Sequence, residues 1–179
     1  MAYAFKEWAL VCNALGEGKQ CILLRKGGIA EGREGFSFRY KEFGLFPTWF
    51  HEQVQKTRLP AETLLPPEPE GEMEICYAAT LEWSWVLRER SKLQALRDFH
   101  ILADEVVEER FGYGEEEGLH VAAVRVFRLE PPMRFALERK HGGCRSWVEV
   151  PDWDGCALVS VLSDEEHEVR MKMLREILE

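Results

Sequence analysis

Residues 74–86 read EICYAATLEWSWV, a run without proline or glycine in which Ile75, Tyr77, Ala79, Leu81, Trp83 and Trp85 fall at every second place. A two-residue period puts these side chains on one face of a β-strand. A second run, LHVAAVRVFRL at 119–129, is apolar on both faces through its middle, as in a strand buried within a sheet. Between them, Ser91 and Gln94 have the spacing of a capping box for a short helix to Phe99. A second helix carries Val106, Val107 and Phe111 on one side and stops at Gly112. Long strands and helices without regular β-α-β alternation predict an α+β fold, a mixed or largely antiparallel sheet with peripheral helices.

Toward the N-terminus, Phe5, Trp8, Ala9, Cys12 and Leu15 recur at helical spacing before Gly16 and Gly18, which predicts a helix over 3–15. Lys19–Leu24 reads as a strand ending at Gly27-Gly28, and Phe36, Phe38 and Tyr40 alternate as on a second one. Phe43–Phe46 continues it, and Thr48 is placed to cap a short helix through Lys56. Residues 59–74, LPAETLLPPEPEGEME, hold four prolines and five glutamates. They read as an exposed crossover inside one domain spanning 1–179. Toward the C-terminus, Pro131-Pro132 are expected to end the second long strand. Short strands fit 146–150 and 157–162. Ser163 with Glu166 forms a capping box for a last helix that buries Met171, Leu174 and Ile177.

The apolar fraction of 46% supplies a core, and the net charge is −9. The charge is unevenly spread. Residues 1–60 hold nine basic and six acidic side chains, whereas residues 61–120 hold five and fifteen. The N-terminal third is therefore the part suited to a polyanion. Five cysteines, widely spaced and without C-x-x-C, suggest isolated thiols rather than a zinc site or disulfide framework. No stretch reads as a signal peptide or a membrane span, so a cytoplasmic protein without membrane contact is expected.

Three motifs carry candidate chemistry. In LRKGGI, residues 24–29, a strand ends in a basic pair and a glycine turn, which suits backbone N–H groups and cations to an anion. In HGGCRSW, residues 141–147, Arg145 and Trp147 offer a bidentate donor and a stacking ring. FPTWFH, residues 46–51, is an aromatic group that either builds core or lines a pocket with His51. Arg25, Lys26, Gly27 and Gly28 are thus expected to hold phosphate, and Arg145 and Trp147 to contact a base. Lys6 and His51 come second. The face bearing Tyr77, Trp83 and Trp85 is either core or a stacking platform. Cys144 with His141 shows no oxyanion hole, and E-x-K at 17–19 falls in a helix-ending turn and at 138–140 in a loop, so no catalytic residue, metal or cofactor is assigned.

Taken together, KEW at 6–8, LRKGGI, FPTWFH, the region from His100 to Arg110, HGGCRSW and LSDEE at 162–166 resemble the bacterial family DUF1802, a domain of unknown function, over nearly the whole chain. The resemblance implies a link to DNA restriction or modification and a restriction-system protein as partner. The opening Gly18, Lys19, Gln20 and Arg25 is also similar to that of ASCH and PUA-like domains, which implies a small pseudobarrel that binds RNA or modified bases. The expected function is a non-catalytic accessory domain for nucleic acid or a nucleotide. The alternatives are a hydrolase or nuclease acting with a partner, and a protein-interaction module using the proline-acidic segment.

Overall fold

The computed structural model describes residues 1–26, 37–114 and 116–179. Their strands are β1 (Ala2–Trp8), β2 (Ile22–Arg25), β3 (Glu42–Thr48), β4 (Glu72–Leu87), β5 (Leu119–Ala136), β6 (Trp147–Val150) and β7 (Ala157–Ser160). The α-helices are α1 (Ala9–Gly16), α2 (Asp104–Gly112) and α3 (Asp164–Leu178). The strands form one mixed sheet in the order β2-β5-β4-β3-β1-β6, with β7 also paired to β5. Only β1 and β3 run parallel among these pairs. The α+β architecture with a mixed, largely antiparallel sheet is therefore as expected.

The two long runs form the spine. β4 and β5 pair from Leu87↔Leu119 to Glu72↔Ala136, with register shifts between Ile75 and Tyr77 and between Leu81 and Trp83. These bulges break the single apolar face expected for β4. Trp83 stays half-buried, while Trp85 is 44% exposed. Pro131-Pro132 do not end β5. The ladder passes from Tyr77↔Arg128 to Ile75↔Met133, so the prolines lie in a bulge where no inter-strand N–H is needed.

The N-terminal helix expected over 3–15 is a strand up to Trp8 and a helix only from Ala9. Phe5 and Trp8 mimic helical spacing, but β1 lies between β3 and β6 and is buried on both faces. Its neighbours divide by strand period: Phe5 with Leu45 packs into the larger core under the helices, Ala4 with Phe46 into a smaller one with Ile75, Leu129 and Met133. Phe38 and Tyr40 precede β3 instead of forming a strand. Phe38 packs on Phe5, and Tyr40 stacks on Tyr3 at 3.9 Å. Phe36 lies outside the described residues.

Thr48 caps no helix, because its hydroxyl donates to the carbonyl of Glu7. Only a 3₁₀ turn, His51–Gln53, follows. Gln53 is fully buried there, donates to the Thr48 carbonyl and accepts from the Leu10 N–H, so it satisfies the start of α1 from outside the helix. Ser91 likewise caps nothing, and 3₁₀ turns cover Arg90–Lys92 and Gln94–Phe99. The Ser163–Glu166 capping box of α3 forms as expected, and the helix buries His167, Met171, Leu174 and Leu178. Among the described residues no helix is long and apolar enough to cross a membrane.

Candidate phosphate-binding cleft

In strand order, β2 and β1 lie four steps apart, which in a flat sheet means roughly 19 Å at ~4.8 Å per step. Yet Arg25 on β2 donates 3.2 Å to the carbonyl of Lys6 on β1. The sheet therefore curls until β2, one edge strand, comes up against β1, the strand next to the β6 edge, and side chains rather than a backbone ladder join the two. A cleft of about 390 Å³ opens there.

Each wall is set by its own element. Trp8 ends β1, Arg25 ends β2, and Lys26 follows it. Helix α2 presents Val106, Glu109, Arg110 and Tyr113, the i, i+3, i+4, i+7 set of one helical face and its continuation. Lys56 reaches in from the turn after β3, where its backbone carbonyl accepts from Ala103 and Arg58 N–H donates to Ile101. Cys144 and Ser146 come from the loop before β6, which the Lys6 N–H holds through the Ser146 carbonyl at 2.8 Å.

The charges on these walls do not cancel. Arg25, Lys26, Lys56 and Arg110 face one lining carboxylate, Glu109. Beneath them Glu7 is buried, at 4.0 Å from Arg25, and its other oxygen accepts from the Trp8 N–H. Arg110 donates 2.7 Å to the Leu24 carbonyl and lays its guanidinium 4.8 Å from the Trp8 ring. Burial lowers its pKa, Glu7 opposes that, and Arg25 adds to it; arginine stays charged regardless. Lys26 spends its ammonium on the carbonyls of Phe111 and Glu116, at and beyond the C-terminal end of α2. Lys56 makes no ion pair among the described residues.

The two basic loops singled out in the sequence thus meet: Arg25 and Lys26 share the cleft with Cys144 and Ser146. Gly27 and Gly28 lie outside the described residues. Arg145 is exposed beside this loop, close enough to Lys6 to lower the pKa of its ammonium. Lys6 itself is buried behind the wall, where burial is the main cause of that lowering, and it donates to the Gly143 carbonyl. Trp147 points elsewhere. It packs edge-on against Phe5, Phe43 and Tyr40, so it builds the core and does not line the cleft. His51 is exposed on its 3₁₀ turn and is not part of the lining.

Sequence reasoning does not reach Trp8, Lys56, Arg110 and Tyr113 as site residues. The α2 spacing is the available signal, but it gains meaning only once β1 is a strand that ends at its foot. His141 does not pair with Cys144, because its Nδ1 accepts from the Glu138 N–H and its ring lies against Phe135. The E-x-K matches close on themselves at the surface, Lys19 on Glu17 and Lys140 on Glu138. No group of three or more His, Cys, Asp or Glu side chains stands close enough to hold a metal ion among the described residues.

No curated protein matches the chain. Among solved structures, a ZmASCH mutant protein from Zymomonas mobilis is similar, with a TM-score of 0.46 and 12% identity over 96% of this chain and 94% of that one. Residues 4–173 match the model of the domain of unknown function DUF1802, and the chain belongs to that family.

Proposed function

We propose that this protein is a non-catalytic accessory domain that binds nucleic acid or a nucleotide through the seam cleft. The observation that carries the reading is the charge imbalance of the lining, four cations to one carboxylate, on a chain whose net charge is −9. Buried Glu7 offsets part of this charge, and a phosphate offsets the remainder with charge-assisted hydrogen bonds to Arg and Lys. A restriction-system partner supplying the chemistry belongs to the same proposal.

The test is fluorescence anisotropy with a labelled single-stranded oligonucleotide at low salt. Binding that weakens steeply with added salt, and at least tenfold on Lys56→Glu, supports the reading. Lys56 is the residue to change because it makes no ion pair among the described residues, whereas Arg25 also ties β2 to β1 and Arg110 ties α2 to β2. Unaltered binding by Lys56→Glu, or none by the parent protein, contradicts it.

A further inference from the structure

We infer that the cleft takes a single phosphorylated nucleotide, free or at the end of a strand, with the phosphate between Lys56 and Arg110 and the base on Tyr113. This rests on the phosphate-binding reading and narrows it from nucleic acid in general to one nucleotide.

Three observations carry it. First, the cleft of about 390 Å³ lies in the size range of small-ligand pockets, roughly 300–1,000 Å³. Its four cations line one cleft of that size. Second, the surroundings oppose a long polyanion. Glu105, Glu108 and Glu109 are exposed on α2, with Glu116 and Glu117 just beyond it. Arg88 and Arg90 pair with Glu116, Glu108 and Glu117, while Glu105 and Glu109 have no ion pair among the described residues. A duplex carries a charge about every 1.7 Å. Glu109 lines the cleft together with Lys56, so a run of phosphates passing Lys56 meets an unpaired carboxylate charge.

Third, the lining mixes charge with rings in the proportion a nucleotide needs. Trp8 has one face occupied by Arg110 and an edge-to-face contact with Phe50, so it supports the cation. Tyr113 is 52% exposed, lines the cleft just past the end of α2 on the same face as Arg110, and has a ring available for a base.

The experiment is isothermal titration of the full chain at low salt with AMP, adenosine, inorganic phosphate, a 5′-phosphorylated single strand and a 20-base-pair duplex. Expected are AMP binding at least tenfold tighter than adenosine and an affinity for duplex that does not exceed that for AMP. Lys56→Ala should weaken AMP and phosphate alike, while Tyr113→Ala should weaken AMP about tenfold and leave phosphate unchanged. AMP and the phosphorylated strand should compete. If AMP binds the tighter of the two, the ligand is the free nucleotide, and if the strand does, it is a strand end.

Adenosine binding as well as AMP, or Tyr113→Ala leaving AMP unaffected, overturns the inference. Duplex binding that depends on Lys56 and that AMP does not displace overturns it while leaving the broader nucleic-acid reading intact. Failure of every phosphate-bearing probe overturns both.

Discussion

His100 shows how single side chains hold the cleft's frame. It is buried, feels the charges of Arg58, Arg110 and Arg97, and its Nδ1 accepts from the Leu102 N–H. Burial, followed by those three cations, lowers its pKa to about 3. An unfolded histidine titrates near 6.5, so between about 6.5 and 3 the unfolded chain binds a proton that the folded one refuses. Stability from this group is complete above the upper value and is lost as pH falls through the window. Thermal melts from pH 7 to 4 should show a steeper fall for the parent protein than for His100→Gln; parallel curves would remove this role. Gly16 is a second such point. A Cβ there would collide with the Tyr77 ring. Gly16→Ala should cost about 1–3 kcal/mol by overpacking, measured by urea unfolding, and Tyr77→Leu in the same chain should recover part of it.

At the scale of elements, α3 is the part of the chain most nearly self-specified. Its start is written in Ser163 and Glu166, which bond each other's backbone N–H groups as the spacing predicts. Ser163→Ala should lower stability by about 1 kcal/mol in the same unfolding assay, with the cleft's ligand affinity unaltered. The strands β4 and β5 are legible too, β4 from its two-residue alternation and β5 from a long apolar run. β1 is not. Its burial on both faces comes from β3 and β6, which lie far along the chain, and Phe5 and Trp8 fit a helix equally well until those partners are present. Prolines mislead in the other direction: Pro131 and Pro132 break a ladder only where an N–H is required, and the bulge against Cys76 requires none. The meeting of Arg25 with the 144–146 loop can be posed from the sequence, but Lys56 and Arg110 cannot be added before the α2 face and the turn after β3 are located.

At the scale of the whole molecule, the curl of the sheet makes the site. Arg25 reaches Lys6 because strands β2 and β1, far apart in a flat sheet, are brought together, and the cleft opens along that unladdered seam. On the proposed reading, the acidic excess of residues 61–120, Glu109 of the lining included, disfavours a long polyanion there. The most direct test is ¹⁵N-labelled NMR of the full chain at low salt, titrated with AMP. Shifts clustered at residues 6–8, 25–26, 56, 109–113 and 144–146, and suppressed by Lys56→Glu, are the predicted result. Shifts centred instead on Trp83, Trp85 and the end of α3, or no shifts at all, would contradict the account.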